Sequence, residues 1–204
     1  MKPSILVGDY TLISKFSYGY GAYSFPGGLG SIINGRIFGV SPERGDVVVF
    51  RLPKDVSTDY VRRVIGLPGD RIQMIDGLLH INGNPVKRER ISDFIEDKDS
   101  GGARVKRWRE TLSNGVSYET LVDNGLYDNT PVYQVPTGHF FMMGDNRDNS
   151  TDSRALSQVG YVPFENFIGK VQIIFFSIAD GEPAWAIWSW PQSARWNRLF
   201  RWVK

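Results

Sequence analysis

Short runs of β-branched and apolar residues, cut every few positions by Gly, Pro, Asn or Asp, make up most of this chain, and their period is that of strands. The clearest are VVVF before RLP at 47–53, RRVIGLPGD at 62–70, RIQMIDGLLHINGNPV at 71–86 and GKVQIIFFSI at 169–178. Asp76-Gly77 predicts a tight hairpin turn between two alternating runs, and Asn82-Gly83 predicts a second. The Tyr- and Gly-rich stretch 18–39 predicts a long loop. Residues 88–130 are polar, with turn-laden EDKDSGG and LVDNGLYDNTP, and suggest a peripheral insertion. The expected architecture is mostly β: an antiparallel sheet core, coiled or barrel-like, from 1–70 and 140–204, with 71–139 as a smaller inserted β lobe.

Composition narrows the function. With 204 residues, 41% hydrophobic and 23% charged, the chain is a globular one. Its 24 basic and 22 acidic residues leave a net charge of +2, too balanced for a nucleic-acid binder. Absence of cysteine excludes disulfides, thiolate metal sites and a Cys nucleophile; no metal or cofactor is expected. No run reaches the ~18–20 apolar residues of a membrane span, and no export signal is visible. The opening MKPSILVGDY passes directly into Pro and an apolar triplet, as the middle of a chain would.

Candidate chemistry lies first in GDNRDNSTDSR, residues 144–154. Asp145, Asn146, Asp148 and Asn149 suit a turn by themselves, since their side chains bond nearby backbone. A turn does not require Arg147, Asp152 and Arg154 around Ser150, which form an alternating charge network about a hydroxyl. A calcium loop is excluded because Arg147 stands where an oxygen ligand is needed. The second stretch, DYVRRVIGLPGD at 59–70 after RGDVVVFRLP at 44–53, would by itself be two ordinary strands with a Pro-Gly turn.

In order and spacing, MKPSILVGD, RGDVVVFRLP, DYVRRVIGLPGD and GDNRDNSTDSR resemble the motifs of the type I signal peptidases, as do RERISDF and NTPVYQVP between them. These are membrane-anchored serine endopeptidases that remove signal peptides from exported preproteins with a Ser-Lys dyad. The resemblance implies a nucleophilic Ser immediately before Met1, so that the start is read as an internal Met or a shortened gene. Ser4 falls where the family usually has Thr and is not the nucleophile. The resemblance also assigns Ser150 to support the base, Gly144, Asp145, Asn146, Arg147, Asp148, Asp152 and Arg154 to a structural network, and Met1, Ile5, Val49, Asp59, Tyr60 and Val61 to the walls of two shallow pockets for Ala-x-Ala substrates. Residues alone leave Val49 and Val61 equally suited to core packing. The start of the chain, Arg62 and Ser150 are expected side by side, with Asp152 paired to Arg154 or Arg147.

One departure bears on activity: the family's general base is Lys, and the matching residue is Arg62. A Lys starts near pKa ~10.4, and burial can bring it to about 7 at a cost on the order of 4 kcal/mol. Arg starts above ~12.5 and would need on the order of 7–8 kcal/mol or more. Arg62 is therefore expected to donate hydrogen bonds, to Ser150 among others, and not to accept a proton. The resemblance thus implies a signal peptidase fold that is inactive as this chain stands; the alternative is a non-catalytic paralogue binding extended peptides or a membrane partner, and a third reading is an unrelated β-protein.

The tail AWAIWSWPQSARWNRLFRWVK holds five of the six tryptophans: Trp185, Trp188, Trp190, Trp196 and Trp202. On a helix, Trp196, Leu199, Phe200 and Val203 would form one stripe, with Arg195, Arg198, Arg201 and Lys204 around the other side. Such a helix suits either core packing or an interfacial membrane contact. For a family that works on substrates still in the bilayer, the expected partners are signal peptides and, through residues 185–204, the outer side of the plasma membrane.

Overall fold

The structure is a computed structural model that describes residues 1–25, 35–96, 102–123, 125–179, 185 and 187–203. Most of EDKDSGG, the middle of the 18–39 loop and Lys204 lie outside the described residues. The strands are β1 (Asp9–Ser14), β2 (Val47–Leu52), β3 (Asp55–Gly66), β4 (Arg71–Ile75), β5 (Leu78–Ile81), β6 (Asn84–Pro85), β7 (Lys87–Arg90), β8 (Phe94–Ile95), β9 (Arg104–Val105), β10 (Arg107–Thr111), β11 (Ser117–Leu121), β12 (Tyr133–Gln134), β13 (His139–Met143), β14 (Val162–Pro163), β15 (Phe167–Ser177) and β16 (Arg201–Trp202). Helix is confined to a four-residue α1 (Trp190–Ser193) and short 3-10 turns. The chain is mostly β and its strand pairs are antiparallel.

A seven-stranded sheet runs β1-β15-β2-β3-β13-β14, with β16 also on β15. Residues between β3 and β13 make three smaller sheets: β12-β4-β5-β6, β11-β10-β7 and β8-β9. The β4–β5 hairpin turns at Asp76 and Gly77, both with positive φ (48° and 71°), the twist that a two-residue turn between right-twisted strands requires. Asn82 and Gly83 do the same between β5 and β6. Ile65, Phe141 and Met143 of the large sheet share one apolar cluster with Ile72, Leu79 and Tyr118 of the smaller ones, and with Leu112 just after β10, so burial of one set of strands depends on the other.

The tail departs from the helix expected for it. Residues 196–198 form a single 3-10 turn, Phe200 takes a positive φ of 54°, and Arg201–Trp202 pairs with Ile173–Ile174 of β15. Two contacts override the helical spacing. Arg198, expected on the solvent side, is buried and clasps Asp9 of β1, and β16 uses a free edge of β15. A helix through 196–203 would lose both.

Candidate active site

Strand β3 positions most of the site. Alternation along it sends Asp59, Val61 and Arg63 to one face and Tyr60, Arg62 and Val64 to the other. On the first face Val61 gathers with Val49, Met1 and Ile5 in one apolar cluster, together with Tyr23, which the sequence reading did not single out. Tyr60 is not part of that wall: it packs against Phe50 and Val48 in a different cluster. Asp59 is exposed and forms a 3.1 Å ion pair with Arg51, whose guanidinium also lies over the Tyr23 ring at 5.5 Å.

Arg63 is fully buried and organises the start of the chain. Its Nε and Nη2 donate to the two carboxylate oxygens of Asp145 at 2.8 and 2.7 Å, its Nη1 to the Gly45 carbonyl at 2.7 Å, and its guanidinium stacks over Tyr118 at 4.2 Å. Ser4 Oγ donates to the same Asp145 carboxylate at 2.5 Å, so Ser4 is a structural hydroxyl that ties residues 1–5 to this pair. Burial opposes the Arg63 charge, but Asp145 outweighs it and raises the guanidinium pKa above its ordinary value.

The 144–154 segment is held on two further sides. Arg147 Nη2 donates to Glu110 of β10 at 2.5 Å, and Tyr118 Oη donates to the same oxygen at 2.9 Å, all three side chains being buried. Asn146 lies beside Leu121 of β11, and Asp148 accepts the Asp123 backbone N–H at 2.6 Å. Glu110 was missed by sequence reading, yet it carried a signal: in Trp108, Glu110, Leu112 an acidic residue takes an inward position of an alternating strand.

Asp152 pairs with Arg154 as expected, through Nε at 2.9 Å and Nη2 at 2.8 Å, and accepts the Gly144 N–H at 3.0 Å. Burial by itself would raise the Asp152 pKa; the hydrogen bonds and charge of Arg154 and the Gly144 N–H outweigh it and hold the value below the usual carboxylate range. The stabilisation is therefore complete above the unfolded Asp value of ~3.9 and is lost as pH falls through the lower folded value. Asp152→Asn is expected to cost about 1.5–3 kcal/mol near neutral pH. The gap to the unaltered protein should close below about pH 4, read from urea midpoints across that range; a gap independent of pH would contradict this assignment.

Arg62 sits where β3, Gly144 and Ser150 meet. A Cβ placed on Gly144 would lie 2.1 Å from Ser150 Oγ, so only glycine admits Ser150 there, and it would touch Arg62 Cδ at an ordinary 3.6 Å. Arg62 does not bond Ser150, contrary to expectation: Nε and Nη2 donate to the Thr151 carbonyl at 3.2 and 2.8 Å, and Nη1 to the Val61 carbonyl at 2.7 Å. Ser150 Oγ is buried and leans toward Asp152 without reaching bonding geometry to any partner. Burial lowers the Arg62 pKa, opposed by Asp152, Tyr60 and Asp145. Burial and then the Arg62 charge also lower that of the amine of Met1, a residue that packs in the cluster of Val61, next to Arg62 in the chain. Residue 1, Arg62 and Ser150 thus share one neighbourhood. Among the described residues no cluster of His, Cys, Asp and Glu could hold a metal ion.

This β scaffold, with an arginine-carboxylate framework behind an apolar surface and one hydroxyl beside a cation, corresponds to a known family. The profile of the signal peptidase, peptidase S26 family matches residues 1–176. Signal peptidase I of Rickettsia canadensis (strain McKiel) is 41% identical, covering 98% of this chain and 81% of the relative. That of Rickettsia typhi (strain ATCC VR-144 / Wilmington) is 45% identical over 87% of this chain and 69% of the relative. A crystal structure of a signal peptidase I from Enterococcus faecalis V583 is 24% identical, covers 64% of this chain and 97% of its own, and has a TM-score of 0.38. The chain belongs to the signal peptidase, peptidase S26 family of serine peptidases.

Proposed function

We propose that this chain binds extended peptides with small residues, of the signal-peptide type, on the signal peptidase scaffold, and that with Arg at position 62 it does not cleave them. The carrying observation is the edge of β3. β2 covers one edge from Asp55 to Arg63, while β13 pairs with the other only from Arg63 to Gly66. Among the described residues, 55–62 therefore have no strand on their second edge, beside Val49, Val61, Ile5 and Met1, and the last carbonyl of that edge, of Val61, is taken by Arg62 Nη1. An added strand would take its affinity from backbone bonds and its selectivity from this shallow apolar surface, which suits Ala better than any bulky side chain.

Arg62 supports the second half of the reading. All its bonds are donated to carbonyl oxygens, so it is held as a cation, and a guanidinium starting above ~12.5 stays protonated near neutral pH. Binding is tested by fluorescence anisotropy with a labelled Ala-x-Ala peptide. Filling the surface by Val61→Trp is expected to weaken binding about tenfold or more with the fold retained by circular dichroism; unchanged affinity would remove the surface from the reading.

The reading places the protein at the outer face of the plasma membrane, with the tail against lipid. No helix among the described residues is long and apolar enough to cross a membrane. A row of apolar residues, Leu12, Ile173 and Trp202, crosses β1, β15 and β16 on one face, and Trp185, Ile187, Trp188, Trp196 and Phe200 are exposed, with Arg201 exposed among them. Exposed aromatic rings with a cation on the tail suit a headgroup boundary. Vesicles containing anionic lipid should blue-shift the tryptophan emission, and Trp202→Ser with Phe200→Ser should cut vesicle binding several-fold; equal binding by the double variant would contradict a lipid contact there.

A further inference from the structure

The open edge of β3 ends at Arg62, because at Arg63 the strand β13 takes over the pairing through Met143. A peptide lying along 55–62 therefore runs out of free edge beside Arg62, Gly144 and Ser150. Arg62 has no carboxylate in ion-pairing contact among the described residues. The two acids that act on it from a distance, Asp152 and Asp145, are each already bonded to their own arginine, Arg154 and Arg63. Three of its five N–H donors are used, which leaves one on Nη1 and one on Nη2 without an acceptor. Ser150 Oγ, in contact with the same Gly144, is a buried hydroxyl that faces Asp152 without a bond of good geometry. Arg62 is thus a half-buried cation held by carbonyl oxygens and by the Tyr60 ring at 4.9 Å, with no carboxylate in contact, and an anion at its two free donors would pair its charge.

We propose that Arg62 and Ser150 make the end of this edge a receptor for the C-terminal carboxylate of a peptide ending in a small residue, so that the chain prefers the released form of a signal peptide to the uncut one. The inference rests on the peptide-binding reading above. Charge sets the polarity: an amino terminus would be repelled by Arg62, whereas a carboxylate can accept from both terminal nitrogens and from Ser150. An uncut preprotein brings no charge to this point and must also turn away from the sheet where β13 begins.

The test uses fluorescence anisotropy on the unaltered chain with peptides of one sequence ending Ala-x-Ala. One carries a free C-terminal carboxylate, one a C-terminal amide, and one the amide together with an acidic group added at the amino end. The free acid is expected to bind at least about tenfold tighter than either amide, and this ratio should fall to about one in Arg62→Gln. Equal binding of acid and amide overturns the receptor while leaving the peptide surface standing. Binding of none of the peptides overturns both readings. An equal gain from the acidic amino end shows general attraction to a cationic surface and overturns the assignment. So does an acid preference that survives in Arg62→Gln. If that variant does not fold, the acid-to-amide ratio of the unaltered chain decides by itself.

Discussion

Replacing Arg63 by Ala is expected to cost about 3–5 kcal/mol of folding stability, a large share of the roughly 5–15 kcal/mol available to a domain. Arg63 and Asp145 are both essentially fully buried and bonded in a bidentate pair. Without the guanidinium, Asp145 keeps only its Ser4 hydroxyl as a side-chain partner, the Gly45 carbonyl loses its donor, and the Tyr118 ring loses its stacked cation. Arg63→Lys should recover only part of the loss, since an ammonium cannot span both carboxylate oxygens as the fork does. Changing both partners, Arg63→Met with Asp145→Leu, should cost less than either single change, because no charge is then left buried alone. Urea unfolding reads all of these; a loss under about 1 kcal/mol for Arg63→Ala would mean that the pair does not hold the start of the chain.

The largest kinetic effect is expected at position 62. In a form extended by the Ser that the resemblance expects directly before Met1, Arg62→Lys should bring preprotein cleavage after Ala-x-Ala out of assay background, by at least about a hundredfold, within the usual contribution of a general base. Lys at this site meets the same burial that lowers the Arg62 pKa, and an amine starts closer to neutrality than a guanidinium. The Thr151 carbonyl and Ser150 Oγ are positioned to hold it. The rate of the Lys form should rise with pH through the lowered pKa of that amine and then level off, because only the neutral amine can take the proton. A pH-independent rate would mean that another group serves as base.

Much of the fold was legible because its turns are local chemistry. Asp76-Gly77 and Asn82-Gly83 adopt the positive φ angles that mark two-residue turns, and these need no tertiary information. The charged segment 144–154 was legible as a network because its inner pair, Asp152 and Arg154, is only two residues apart. Its outer partners were not. Glu110 and Tyr118 come from strands that reach the site only once β10 and β11 pack on the large sheet, and spacing along the chain carries no trace of that distance. Tyr60 shows a different failure: it neighbours Val61 in sequence but points to the opposite face, as strand alternation requires. In the tail, the helical spacing of Trp196, Leu199, Phe200 and Val203 lost to the buried Arg198–Asp9 pair and to strand pairing on β15, both long-range contacts.

Arg62 was the residue whose chemistry the sequence carried most directly, since the identity of the side chain sets its proton affinity before any fold is known. The structure adds where its donors go: to Thr151 and Val61, and not to Ser150. The measurement that tests this account most directly is preprotein turnover by the Ser-bearing form that keeps Arg62, followed by mass spectrometry beside the Arg62→Lys form. The account predicts intact preprotein with Arg62 and a product ending in Ala with Lys; cleavage at a comparable rate with Arg62 in place would contradict it.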